Sequence, residues 1–141
     1  MEIKMSPVSF SENTDDPKVA VLAGGIGEER QISLQSGECI TKAIESAGVE
    51  VVFCDIAPDR LSVLDDADTD VFFVALHGSF GEDGQLQEIL KARSLCFTGS
   101  NSNASRIAFD KTHTAALSAR FYNEPVTDRP QTIFDTMLAI R

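Results

Sequence analysis

Positive charge is scarce in this chain of 141 residues. Its 12 Lys and Arg stand against 22 Asp and Glu, a formal net charge of −10. Such a chain repels phosphate backbones and anionic lipid, which argues against a general binder of nucleic acid or membrane surfaces. Long apolar runs are also missing. None approaches the roughly 20 residues that span a bilayer. The opening Met1-Glu2-Ile3-Lys4-Met5 lacks the basic start and apolar stretch of a signal peptide. Cysteine is sparse: Cys39, Cys54 and Cys96 are odd in number and widely spaced, with no C-x-x-C. His77 and His113 do not pair with them at zinc-finger spacing. A disulfide scaffold and a structural zinc site are thereby disfavoured, and reduced, mostly buried thiols of a cytosolic protein are expected. A G-K-[ST] triplet, internal repeats and low-complexity tracts are absent as well.

What is there has globular composition, 43% hydrophobic and 24% charged, which argues against wholesale disorder. The length suits one domain, or one domain and a piece of a second. Residues 1–17 are polar, acidic and without period, and a flexible tail is expected there. Val19-Ala20-Val21-Leu22-Ala23 then runs apolar into Gly24-Gly25, the mark of a buried strand. Ile32, Ser36, Cys39, Ile40, Ala43, Ile44 and Ala47 recur at steps of three and four and predict a helix face, with Gly48 as its stop. Residues 49–56 predict a second strand. An acid-rich surface helix or loop follows over residues 58–70, and residues 70–76 predict a third strand. Leu86, Ile89 and Leu90 mark the inner face of the next helix, and Leu95-Cys96-Phe97-Thr98 a short fourth strand. Residues 104–121 are helical in composition, with Asp110 as the place where they divide into two helices. Alternation of continuous apolar strands with helices predicts an α/β fold: an open, doubly wound, mostly parallel sheet with helices on both faces. Residues 130–134 look like a new strand whose partner does not follow, so the chain is expected to be a piece of something longer.

In open α/β sheets ligands collect at the carboxyl ends of the strands. Two loops there carry chemistry. The first is Gly24-Gly25-Ile26-Gly27-Glu28-Glu29-Arg30-Gln31-Ile32-Ser33. Its G-x-G lacks a third glycine, and Glu28, Glu29 and Arg30 crowd the place where a pyrophosphate should meet bare amides. Asp55, ending the second strand, would be the ribose acid of such a reading, which is disfavoured. Glu29 instead has two readings open: a carboxylate accepting a charge-assisted bond from a substrate amine, or an acid placed favourably at a helix N-terminus. Arg30 reads as a surface ion pair and Ser33 as a helix cap. The second loop is His77-Gly78-Ser79-Phe80-Gly81-Glu82-Asp83-Gly84. Its three glycines let the backbone bend tightly toward a ligand. His77 reads as a strand-end histidine or a site residue, and Asp83 as a helix cap or a site residue. So much polarity in one loop points to function.

Both loops resemble one family. Leu22-Ala23-Gly24-Gly25-Ile26-Gly27-Glu28-Glu29-Arg30-Gln31-Ile32-Ser33-Leu34 resembles the L-x-G-G-x-S-x-E-R-E-V-S-L motif of the D-alanine–D-alanine ligases. Ala75-Leu76-His77-Gly78-Ser79-Phe80-Gly81-Glu82-Asp83-Gly84-Gln85-Leu86-Gln87 is similar to their A-L-H-G-x-x-G-E-D-G-x-x-Q signature. Thr98-Gly99-Ser100 and Phe109-Asp110-Lys111 look like their Y-T-G-S and M-D-K elements, in the same order. The resemblance implies an N-terminal, Rossmann-like pre-ATP-grasp domain over residues 18–122. It implies a linker and the first strand of an ATP-grasp module over residues 123–141. The implied activity joins two D-alanines with ATP and Mg2+, through an acyl phosphate, for peptidoglycan synthesis and hence cell-wall biogenesis and cell shape in the bacterial cytoplasm. By the motif match Glu29 would bind the first D-alanine's ammonium, with Ile32 and His77 lining the pocket. Ser33 would hold the Glu29 loop, Glu82 would support the site, and Lys111 would lie near the nucleotide. No protein ligand of the metal falls within these residues by that match, and the family's pattern leaves room for a homodimer. Gly27, Gln31 and Glu88 depart from the family's serine, glutamate and small residue, and the first two loosen the loop that carries Glu29. The competing class is a non-catalytic, free-standing α/β domain that binds a small amino acid or a protein partner.

Overall fold

The computed structural model describes residues 17–112 and 114–116. It contains β1 (Val19–Gly24), α1 (Arg30–Ser46), β2 (Val51–Ile56), a 3-10 turn (Ser62–Asp65), β3 (Val71–Val74), α2 (Gln85–Ala92) and α3 (Ser102–Phe109). The acidic tail expected at residues 1–17 (all but Pro17), the helix beyond residue 116 and the strand expected at residues 130–134 lie outside the described residues.

The three strands are parallel, in the order β2-β1-β3. Val19 aligns with Val51 on one side and Val71 on the other, and Leu22 with Cys54 and Val74. The chain leaves β1 toward β2 and then returns to pair on β1's other side, so the winding reverses between β1 and β3. This is the open α/β sheet that the alternating pattern predicts. β1 is central, and its residues from Ala20 onward are buried on both faces, which is why its sequence is continuously apolar.

The two faces of β1 take different partners. Ala20 and Leu22 join Ile56, Phe72, Leu86 and Leu90 in the main core, with Leu64 of the 3-10 turn. Ala23 faces α1, which packs on β1 and β2. The contact is close because Gly37 has no side chain. A Cβ there would lie 2.5 Å from Ala23 Cβ and 2.9 Å from Phe53 Cε2.

That contact rotates α1 partly away from the face expected from spacing. Ser33 and Gly37 are its buried residues; of the expected face Ser36, Ile40 and Ile44 are half-buried, while Ile32, Cys39, Ala43 and Ala47 are exposed. The expected buried thiols are corrected likewise: Cys39 and Cys96 are exposed and only Cys54 is half-buried. The fourth strand is also shorter than expected. Phe97 makes a single parallel bridge to Phe72, closed by Phe72 N–H to the Cys96 carbonyl (2.9 Å) and Thr98 N–H to the Phe72 carbonyl (3.1 Å). The next rung is side chain rather than backbone: Val74 N–H donates to Thr98 Oγ1 at 3.1 Å, and Gly99 then turns at φ 106°. A side-chain acceptor satisfies the donor but ends the ladder. Helix α3 begins at Ser102, where Asn101 caps it through Ala104 N–H (2.9 Å), and it closes at an extended Asp110. Residues 111–112 and 114–116 are helical again.

Replacing Gly37 tests this packing. Overpacking costs about 1–3 kcal/mol, against roughly 1 kcal/mol of helix propensity gained by alanine. Gly37→Ala is therefore expected to lower the urea-unfolding midpoint without changing the slope. A midpoint raised by the propensity gain would show that α1 can move off the sheet freely.

Candidate functional site

The reversal between β1 and β3 opens a crevice at the carboxyl ends of these two strands, where open α/β sheets bind ligands. Both glycine loops leave the sheet there. One side chain joins them from beneath. Ser33 is fully buried; its Oγ accepts Gly24 N–H at 2.9 Å and donates to the Ala75 carbonyl at 2.9 Å. Ser33 thus bridges the last residue of β1 to the residue after β3. It lies within the first turn of α1, past the capping position held by Glu29.

The first loop leaves through Gly24 at φ 95°, where a Cβ would collide with Asp55 Oδ1 and approach Arg30 Nη1. Glu29 closes the loop and starts α1, its carbonyl accepting Ser33 N–H at 2.9 Å. Its side chain makes no capping bond and turns instead against the second loop. A Cβ at Gly78 would sit 3.2 Å from Glu29 Oε1 and 3.3 Å from its carboxyl carbon. Gly78 also has φ 68°, so a side chain there is strained as well as crowded.

The second loop is built around acids. Gly78 N–H donates to Glu82 Oε2 at 2.7 Å. Asp83 Oδ2 accepts Phe80 N–H at 2.9 Å, and Oδ1 accepts Gln85 N–H at 3.0 Å, so Asp83 pins the loop and holds the first amide of α2 from one residue before Gly84, which occupies the capping position instead. Phe80 is held at φ 72°, unusual for a bulky residue, with its ring fully buried in the core. Gly81 rests on Leu76, where any Cβ would collide with the Leu76 side chain. The buried Gln87 donates from Nε2 to the Gly81 carbonyl at 2.6 Å.

Glu29 and Glu82 therefore flank Gly78 from opposite loops. They line one cavity of about 520 Å³ with Ala108, Phe109 and Lys111. Of the residues expected at the site, Glu29, Glu82 and Lys111 meet here. Ile32 is 56% exposed and does not line this cavity. His77, half-buried, has its Nε2 3.1 Å from Ser36 Oγ on α1, so it ties the second loop to that helix. Sequence named Phe109 only as part of the Phe109-Asp110-Lys111 element and did not point to Ala108; the signal available was their place two and three residues before Lys111. Arg30 and Asp55 form the ion pair that its reading as a surface charge expects, through both guanidinium branches at 2.9 and 2.6 Å. That pairing occupies the carboxylate a ribose would need.

The cavity is suited to an amine. Two carboxylates face one ammonium on its walls, so a bound cation gains charge-assisted hydrogen bonds. A triphosphate would meet one cation, Lys111, against two acids, and the residues described here do not fit a nucleotide by themselves.

The fold and this site define a class: an α/β domain whose two glycine loops meet in a crevice at a topological switch point. Its relatives narrow that class. No family model matches the chain. A D-alanine--D-alanine ligase of Thermotoga petrophila is 47% identical over 98 residues, 69% of this chain and 32% of that protein. One of Methylacidiphilum infernorum is 41% identical over 99 residues, 70% of this chain and 32% of the relative. The solved D-alanine--D-alanine ligase of Bacillus anthracis complexed with ATP superposes with a TM-score of 0.69 at 24% identity, covering 90% of this chain and 44% of that one. Over about 70% of its length the chain matches the N-terminal part of D-alanine–D-alanine ligases. It spans about one third of the length of the curated relatives it matches. Among the described residues no helix is long and apolar enough to cross a membrane.

Two tests follow from the loop geometry. Ser33→Ala leaves Gly24 N–H and the Ala75 carbonyl unpaired and buried, at about 1–3 kcal/mol for each group. A fall of several degrees in the melting midpoint is expected, and an unchanged midpoint would mean water replaces the hydroxyl. The second test is pH. Burial of Asp83 works against its charge, but the Phe80 and Gln85 amides and the Gln85 side chain outweigh it and hold its carboxyl below the usual value. A lowered folded pKa means the stabilisation is complete above an unfolded value of about 4 and is lost as pH falls through the folded value. Urea midpoints measured across that acid range should fall less steeply in Asp83→Asn than in the parent.

Proposed function

We propose that the complete protein containing this segment is an ATP-dependent D-alanine–D-alanine ligase, and that the glycine-loop crevice binds the first D-alanine. The observation that carries this reading is the convergence of Glu29 and Glu82 on Gly78, beside Lys111, at the sheet's switch point. Glu29 accepts the substrate ammonium. Glu82 holds the Gly78 amide and so fixes the floor of the crevice. Ser33 keeps the two loops in register. His77 orients the second loop through Ser36.

The division into domains belongs to the same proposal. Residues 18–122 form the substrate-binding unit, and residues 123–141 lead into an ATP-grasp module. ATP, when bound, supplies the phosphoryl group that activates a D-alanine carboxylate, and Mg2+ offsets its charge. The groups that hold both come mainly from that module, with Lys111 contributing at its edge. The product, D-alanyl-D-alanine, serves peptidoglycan synthesis in the bacterial cytoplasm, and a homodimer is compatible with the family pattern. Similarity to ligases over about 70% of the chain supports this reading over a free-standing binding domain.

Glu29→Gln in the complete protein tests it. Removing a charge-assisted bond to an ammonium costs roughly 1.5–3 kcal/mol, about ten- to a hundredfold in affinity. The KM for the first D-alanine should rise by that factor, while kcat changes less. Steady-state kinetics with D-alanine unchanged from the parent would reduce Glu29 to a helix-end charge and sink the assignment.

A further inference from the structure

The ion pair of Arg30 and Asp55 is built across the first loop. Arg30 is the first residue of α1 and follows Glu29 directly. Its Nη1 and Nη2 meet Asp55 Oδ1 and Oδ2 at 2.9 and 2.6 Å, and Nη1 also donates to the Gly25 carbonyl at 3.2 Å. Arg60, from the turn after β2, approaches the same Oδ1 at 3.4 Å. Gly25 N–H in turn donates to the Ile56 carbonyl at 2.8 Å, so backbone and side chain fasten the same loop to the end of β2. The pair passes over Gly24 only because that residue has no Cβ.

Both partners are about one-third exposed. An ion pair so placed contributes little to stability. Its two-pronged form contributes direction, because a planar guanidinium accepts a carboxylate in one orientation and a lysine cannot reproduce that fork. We propose that Arg30, locked by Asp55, is a positioning residue: it fixes the loop-to-helix corner so that Glu29 lies against Gly78 and presents its carboxylate to the substrate amine. The amine rests on the function proposed above; the positioning does not.

The test uses the complete protein with Arg30→Lys, Asp55→Asn and the double variant. Two quantities are read: the KM and kcat for the first D-alanine, and hydrogen exchange at the Ser33 amide, which donates to the Glu29 carbonyl. Misplacing a binding group by a fraction of an ångström is expected to raise KM about tenfold, with kcat and melting midpoint close to the parent. The double variant should be no worse than the worse single one, since both break one unit. Exchange at Ser33 should quicken in all three. A parental KM in Arg30→Lys and Asp55→Asn overturns the proposal, as does a KM that rises only in step with a fallen melting midpoint. If the parent ligates no D-alanine, the proposed function fails separately. Exchange then decides: quickened Ser33 exchange upholds the positioning role and unchanged exchange overturns it.

Discussion

A single hydroxyl holds the site's two halves together. Ser33 Oγ accepts from the last amide of β1 and donates to the carbonyl just beyond β3. Strands in a parallel sheet are joined by backbone bonds only as far as their ladders run. Here the β1–β3 ladder runs out as the two glycine loops diverge, with Ala75 N–H to the Leu22 carbonyl as its last backbone bond. A polar side chain buried at that point satisfies two main-chain groups that no strand partner reaches. Every later feature of the crevice presupposes this closure, because Glu29 and Gly78 leave from opposite sides of it.

Absence of side chains does as much as their presence. Gly37 lets α1 settle on Ala23 and Phe53, Gly24 lets the Arg30–Asp55 pair cross the loop, and Gly78 lets Glu29 approach a backbone. Gly84 stands against the Ser102 carbonyl at the start of α3, where Glu88 also accepts from Ser102 Oγ at 2.6 Å. Glu88, a departure from the family's small residue, thus fastens α2 to the helix that leads to Phe109 and Lys111. Close approach of backbone elements is the physical content of the glycine pattern.

The acids divide into two kinds by what faces them. Asp55 is paired with Arg30, which holds its carboxyl below the usual range, with a further contribution from Arg60. Asp66 is held low by the Asp68 amide, then by Lys18 and Thr69. These carboxylates are spent on structure. Glu29 and Glu82 line the cavity from two loops, and Glu82 there also accepts the Gly78 amide.

Sequence alone determined the parallel α/β architecture, the order of the elements and the two glycine loops, because continuous apolar strands and glycine-bounded turns have few other solutions. It also carried the family signature around Glu29 and His77. It did not determine which stripe of α1 faces the sheet. Ile32, Cys39, Ala43 and Ala47 fit helical spacing as well as the stripe through Ser33 and Gly37 does, and only the contact of Gly37 with Ala23 and Phe53 selects between them. Nor did spacing reveal that Thr98 would substitute a side chain for a ladder rung and stop the fourth strand at one bridge. The pairing of Arg30 with Asp55, and the meeting of Glu29 with Glu82 at Gly78, join residues 25 and 53 positions apart. Local periodicity holds no information about such distances; the register of β1 against β2 and β3 decides them.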